Sequence, residues 1–295
     1  MMQRVGIVAK TGLERAASHL AEIASWLDAR KIRPVFDPDT AALAKSGGAT
    51  ASYDIAAPEE LPRQVEMIVV LGGDGTLLGT AGRIAQAKSD IPILGVNFGS
   101  LGFLTEVTLP EIFSSLDAAV NGTAQTEERM MLRVLIDAGG RRLVDRIVLN
   151  DVVITQGALS RIIELSVSID GEFMMRIKAD GLIIASPTGT TAYNLSAGGP
   201  IVHPHVDGLT ITPIAPHTLT NRPVVVPGSS DIRIQPLMHD EQMEVFATFD
   251  GQTLVPLKND HIVSVRRADK PMRLIRASAR GYFQVLREKL KWGEV

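Results

Sequence analysis

Asp74 stands among three glycines in Gly72-Gly73-Asp74-Gly75-Thr76, directly after the apolar run Met67-Ile68-Val69-Val70-Leu71. Glycines 72, 73 and 75 remove the Cβ atoms that would hold a ligand away from the main chain. The bared N–H groups can then form a concavity for an anion. A carboxylate in such a loop repels phosphate, so it is suited to taking a proton or holding a metal. The combination points to phosphoryl transfer to a hydroxyl. The plain alternative is a strand-to-helix turn that Asp74 caps. Placement favours the first reading: the loop ends the third strand of a β-α-β series, at the carboxyl edge where open α/β sheets bind ligands. Neither a Walker A loop nor the full Gly-x-Gly-x-x-Gly fingerprint is present.

Three further segments carry chemistry. Ala179 to Pro200 leads from an apolar strand into a long stretch of Ser, Thr, Gly and Pro that has no charge after Asp180. Small hydroxyl residues with a tyrosine suit a pocket for a sugar and a flat base, with Thr191, Ala192, Tyr193, Asn194 and Ser196 as the contacts. Asn150-Asp151 interrupts an apolar β run, and because strand side chains alternate, at least one of the pair points inward. That pair is either a bulge with buried hydrogen bonds or a ligand contact. Phe249-Asp250-Gly251-Gln252 reads first as a hairpin turn. His203-Pro204-His205 lacks a third nearby ligand and does not read as a metal pair.

The elements that must position these groups fall into two halves. Strand-like runs at 5–9, 32–36, 66–71 and 91–96 alternate with helical spacing over 12–30, 76–87 and 109–120, and residues 38–65 read as loop with some helix. This implies a parallel sheet with helices on its faces. After about residue 125 strands dominate, at 131–136, 147–154, 162–169 and 173–177, with Asp170-Gly171 as a tight hairpin. More follow near 209–214, 223–226, 231–236, 243–249 and 261–267, and a helix closes the series at 281–292. The expected domains are an α/β unit over 1–125 and an antiparallel β unit over 126–277.

The 295 residues are 45% apolar, enough for sizeable cores, and carry a net charge of −3. Wholesale nucleic-acid binding shows a basic excess that is missing here. There are no cysteines, which excludes disulfides and thiolate metal sites. The first apolar stretch is too short for a signal peptide, and no run approaches the roughly 18 apolar residues of a membrane span. The expectation is a soluble cytoplasmic protein with no membrane and no nucleic-acid partner.

Taken together these segments resemble the NAD kinase family in its bacterial form. Gly72 to Thr76 looks like that family's glycine–aspartate motif, which diacylglycerol and sphingosine kinases and phosphofructokinases share. Asp180 to Pro200 is similar to its long signature, with Thr190 where serine is more usual. Asn150-Asp151 resembles its Asn-Glu pair with a shorter acid. The segment Gly95-Val96-Asn97-Phe98-Gly99-Ser100-Leu101-Gly102-Phe103-Leu104-Thr105 is also similar, and brings Asn97 and Phe98 among the candidate substrate contacts.

The resemblance implies a Rossmann-like amino-terminal domain, a carboxy-terminal β domain that binds NAD, and a final helix (278–295) returning to the first domain. It implies a homodimer or homotetramer, ATP or another polyphosphate as donor, and a divalent cation, normally Mg2+. The reaction would move a phosphoryl group to the 2′-hydroxyl of the adenosine ribose of NAD, with Asp74 receiving the proton. A free carboxylate is a weak base, with a pKa near ~4, but a loose transition state lets the proton leave late, so Asp74 acts by position. The family's contacts carry over to Asp74, Gly75, Asn150, Asp151, Asp180, Thr191 through Ser196 (Leu195 included), Ala215 and Gln252. For Arg161 and Lys178 the implied place is the NAD pyrophosphate, with a solvent-facing strand residue as the alternative. Mg2+ prefers phosphate and water to an all-protein cage, so no protein metal ligand is expected. Two rivals stand beside this reading. One is a lipid or sugar kinase, against which the polar segment after residue 180 counts. The other is a sensor that holds NAD(H) without turnover.

Overall fold

In this computed structural model the described residues are 2–99, 101–157, 162–239, 244–277 and 280–292. The chain divides into two compact units, Met1–Glu128 with Met272–Val295, and Arg129–Pro271.

The first unit begins with strands β1 (Arg4–Ala9), β2 (Arg33–Phe36), β3 (Asp54–Ile55), β4 (Met67–Gly72), β5 (Ile93–Asn97) and β6 (Gln125–Arg129). Helices α1 (Ala17–Asp28), α2 (Pro38–Ser46), α3 (Leu61–Gln64), α4 (Asp74–Gln86) and α5 (Ile112–Val120) lie between them. The central strands bury every residue because helices cover both faces of a parallel sheet: all six positions of β4 and all five of β5 are enclosed. α1 turns Leu20, Ile23, Ala24 and Leu27 inward at helical spacing. Asp37 starts α2 by accepting the Thr40 N–H at 2.8 Å. Residues 38–65, read as loop with some helix, hold two helices and, in addition, a short strand.

The second unit contributes β7 (Leu132–Ala138), β8 (Arg141–Val148), β9 (Asp151–Gln156), β10 (Ile163–Ile169), β11 (Glu172–Ala179), β12 (Gly181–Ala185), β13 (Gly208–Ile214), β14 (Val224–Pro227), β15 (Ile232–Pro236), β16 (Val245–Phe249), β17 (Thr253–Leu257) and β18 (His261–Arg267), with one helical turn, α6 (Tyr193–Ser196). They form two six-stranded antiparallel sheets, ordered β11-β10-β15-β18-β7-β8 and β14-β13-β12-β9-β16-β17. Alternate residues of both sheets, among them Leu165, Val167, Leu182, Ile184, Ile211 and Val265, make one core. Asp170 (φ 53°) and Gly171 (φ 86°) form the two-residue turn between β10 and β11, as the sequence implies.

Two strand expectations are corrected. The run 147–154 is not one strand: it breaks at Leu149-Asn150 into β8 and β9, which belong to different sheets. The break has a cause, since Asp250 captures the backbone there. The chain also returns to the first unit through an unexpected strand, β19 (Met272–Arg276), before helix α7 (Tyr282–Leu290). The first sheet is therefore ordered β3-β2-β1-β4-β5-β19-β6. β19 pairs in parallel with β5. α7 belongs to the same unit and buries Val285 and Leu286.

Candidate functional site

Asp74 opens helix α4, directly after the end of β4. Its Oδ1 accepts the N–H groups of Leu104 (3.1 Å) and Thr105 (3.0 Å) and the Thr105 hydroxyl (3.0 Å). Its Oδ2 accepts the Phe103 N–H at 2.8 Å. The segment after β5 thus folds back over the glycine loop and fixes the carboxylate's orientation. Gly102 is required at the crossing, because a Cβ there would collide with the Asp74 carboxylate and the Thr105 hydroxyl. Gly73 and Gly75 face open space. Gly72 packs closely: a Cβ there would lie 2.7 Å from the Thr76 hydroxyl and 3.2 Å from Lys10 Cβ. Asp74 is half-buried, so one side remains open to solvent.

Asn97 and Phe98 end up near this loop, where the Phe98 N–H donates to the Gly72 carbonyl at 3.1 Å. Their side chains face elsewhere. The Phe98 ring is 5% exposed, belongs to the first core and meets His19 edge-on. The Asn97 amide closes on Gly99, its Oδ1 accepting that residue's N–H at 2.8 Å. Both therefore shape the loop from behind.

In the second unit the candidates gather at two opposite ends of strand β12, with Lys178 on β11 of the other sheet, just before it. At the first end lie the start of β9 and the ends of β12 and β16, with Asp151 opposite Ala185 and Val152 opposite Phe249. Here the Asp250 carboxylate accepts three successive N–H groups, from Leu149 (2.9 Å), Asn150 (2.8 Å) and Asp151 (3.1 Å). Asp250 adopts φ 49° to do so. Burial raises its carboxyl above the ordinary range, against the pull of those three donors. Burial, and secondly the Asp250 charge, pushes the Asp151 carboxyl up to about 7. Asp250, read from the sequence only as a turn residue, is thus a half-buried brace. Nothing local signals this, because its partners lie about a hundred positions away in the chain.

The long signature folds onto the same end. Ser186 donates to the Leu149 carbonyl at 2.5 Å and accepts the Gly189 N–H at 3.2 Å. Asn194 is fully enclosed: its Nδ2 donates to the carbonyls of Thr190 (3.1 Å) and Pro200 (3.0 Å), and its Oδ1 accepts the Thr212 hydroxyl at 2.6 Å. Its amide holds the segment together from within. The Thr191 hydroxyl donates to the Thr188 carbonyl at 3.2 Å. Ala192 and Leu195 are half-buried, and Ser196 is exposed. Tyr193 presents 46% of its surface to solvent, an unusual exposure for an aromatic ring held on a rigid turn. Gln252 is exposed beside the Asp250 turn.

The opposite end holds Asp180, Ala215 and Lys178. Gly181 pairs with Thr155 on one side and Ile214 on the other. Ala215 follows at φ 43°, a costly conformation for alanine that surrounding structure must enforce. The Lys178 ammonium is exposed and lies 3.6 Å from Glu164, which also meets Arg176 and His239. From Asp180 to Ser186 the strand spans roughly 20 Å, so the two groups do not share one pocket wall. Arg161 lies outside the described residues.

Comparison with known proteins follows this geometry. Residues 5–124 match the ATP-NAD kinase N-terminal domain family and 149–277 the ATP-NAD kinase C-terminal domain family. The chain is 46% identical to the NAD kinase of Geotalea daltonii and 47% identical to that of Geobacter sulfurreducens, each over 99% of this chain and 100% of the relative. Among solved structures, an Archaeoglobus fulgidus NAD kinase in complex with ATP aligns with TM-score 0.72 at 25% identity, covering 97% of this chain and 99% of that one. Yeast NADH kinase complexed with NADH has the same fold, with TM-score 0.88 at 24% identity over 100% of this chain and 89% of that one.

Proposed function

The chain belongs to the NAD kinase family, and on that premise we propose that it moves the terminal phosphoryl group of ATP, or of another polyphosphate, to the 2′-hydroxyl of the adenosine ribose of NAD. The new bond joins the ribose oxygen to phosphorus, and the bond from phosphorus to the bridging oxygen of the donor breaks. The products are NADP and ADP, and the hydroxyl proton passes to Asp74. One observation carries the reading: a carboxylate locked in orientation by four donors, three on Oδ1 and one on Oδ2, beside bare glycine backbone. The less engaged Oδ2 retains lone-pair capacity for an acceptor hydroxyl. Orientation is what such a base must supply when the proton leaves late in a loose transition state.

Among the described residues no three acidic or histidine side chains converge on a metal position. The divalent ion of the proposed reaction would be held by the donor phosphates and water, as Mg2+ prefers. When bound, that ion would offset phosphate charge. Gly72, Gly73, Gly75 and Thr76 would receive donor phosphates, while Asn150, Asp151 and Tyr193 would meet the dinucleotide, with Tyr193 stacking on a base. Asn194 serves as the internal brace of that surface. Asp180, Ala215 and Lys178, at the far end of β12, are brought into a shared site most simply by a neighbouring copy, which favours a homodimer or homotetramer; light scattering reads this directly. No described helix is long and apolar enough to cross a membrane, and the reaction is assigned to the cytoplasm.

The test is to mix purified protein, Mg2+, ATP and NAD and assay NADP with an NADP-specific dehydrogenase. NAD binding with no NADP formed would overturn the kinase reading in favour of a sensor.

A further inference from the structure

The segment that clasps Asp74 is itself held by the end of the chain. Phe103, Leu104 and Thr105 direct their N–H groups to one carboxylate. Those donors are spent there and tie the segment to no strand ladder or helix. On its far side the segment is pinned to β5: the Val107 N–H donates to the Gly95 carbonyl at 3.3 Å, and the Val107 carbonyl accepts the Asn97 N–H at 2.8 Å. Between the clasp and this bridge stands Glu106, a buried acid.

Cations of the carboxy-terminal segment converge on that stretch. Arg276 of β19 lies 3.0 Å from the Glu106 carboxylate and 2.9 Å from Glu127 of β6. Its Nη2 also donates to the Arg280 carbonyl at 2.7 Å, which fixes the chain after β19. From there Arg280 Nη1 donates to the Glu106 main-chain carbonyl and meets the Glu111 carboxylate, each at 3.2 Å. Glu111 in turn accepts the Thr108 N–H at 2.9 Å and the Thr108 hydroxyl at 2.6 Å. Lys289 of α7 sits 5.7 Å from the centre of the Phe103 ring. The stretch is thus gripped by backbone, carboxylate and ring.

Glu106 follows Thr105 directly, and Thr105 supplies two of the donors to Asp74 Oδ1, its N–H and its hydroxyl. A shift of Glu106 therefore turns the carboxylate that the clasp holds. Productive geometry tolerates only about 0.5 Å of such movement. A buried ion pair gains little net stability over apolar packing, but it fixes position, because the Arg276 fork must reach both acids at once. We propose that Arg276, Arg280 and Glu106 are positioning residues for phosphoryl transfer: acting through residues 103–105, they set the orientation in which Asp74 receives the hydroxyl proton. This deepens the kinase reading and rests on it for the reaction; the grip on the clasp stands apart from that reading.

Arg280→Met is the test, since that side chain is partly exposed. It is expected to lower kcat roughly tenfold and to leave the KM values for NAD and ATP within about twofold. In an Asp74→Asn background, assayed at higher protein concentration, the same substitution should cost less than about twofold, because no base is left to orient. Amide exchange at residues 103–105, followed by mass spectrometry, should quicken at least ~10-fold while the amides of β4 keep their protection. An unchanged kcat overturns the proposal, as does a loss confined to KM, a loss of the same size in the Asp74→Asn background, unchanged exchange at 103–105, or exchange that quickens equally in β4. Glu106→Gln keeps the volume, severs the ion pair with Arg276 and carries the same expectations; it takes the place of Arg280→Met if that variant melts too early to assay. If the wild type forms no NADP, the kinase reading fails, and exchange alone decides whether the end of the chain holds the clasp.

Discussion

The two units each contain an aspartate that accepts three consecutive backbone N–H groups, and the two settings differ. Both are half-buried: Asp74 binds Phe103, Leu104 and Thr105 beside bare glycine backbone, whereas Asp250 binds Leu149, Asn150 and Asp151 next to a second, buried acid, with its own carboxyl raised. The same backbone device therefore serves two ends. An oriented carboxylate with solvent access can exchange a proton with a ligand. The one beside Asp151 joins distant segments, and desolvation shows in the raised carboxyls of both acids. The lesson is that the same clasp is distinguished by its neighbours: bare glycine backbone around Asp74, a second acid and a strand break around Asp250.

Substitutions separate the two roles. Asp74→Ala should lower NADP formation at least ~100-fold and move the melting temperature little, because water can replace the carboxylate at its open side. Strong destabilisation instead would make the two aspartates equivalent. Asp250→Ala should cost at least ~2 kcal/mol in denaturant unfolding, since it leaves buried N–H groups without an acceptor. An unaltered midpoint would show that Asp250 braces nothing.

Acidity gives a third contrast. The Asp151 carboxyl is raised in the folded chain to about 7, so between about pH 4 and 7 the native state holds a proton that the unfolded chain releases. Stability from this group is full below about pH 4 and declines as pH rises through 7. Asp151→Asn should flatten that decline in melting temperature measured across the window; a slope equal to wild type would locate the titration elsewhere. The smallest expected effect is Thr105→Val, which removes one of four donors to Asp74 and should slow turnover about three- to tenfold. A loss as large as that of Asp74→Ala would mean that the hydroxyl, not the amides, sets the carboxylate.

Much of this site was legible in the sequence because its signals are local. An apolar strand stopping at Gly72-Gly73-Asp74-Gly75 announces a bare backbone at a sheet edge, and the tract after Asp180 announces a polar surface. The clasps were not legible, because an N–H at position 150 carries no mark of an acceptor at 250. Asn150-Asp151 looked like a bulge in one strand because only that distant carboxylate ends β8 and starts β9 in another sheet. Asn194 looked like a contact because composition does not say which way an amide points. Met272–Arg276 escaped notice since Met-Arg-Leu-Ile-Arg is too short and too charged to stand out.

That late strand has a consequence for biosynthesis. β19 lies between β5 and β6, yet some 140 residues of the second unit leave the ribosome before it does. Until then β6 lacks this neighbour, and β5 presents an open hydrogen-bonding edge. Glu106 and Glu127 likewise await Arg276, which lies 3.0 and 2.9 Å from them in the finished chain. The sequence of the β unit is therefore complete before the sheet of the α/β unit can close.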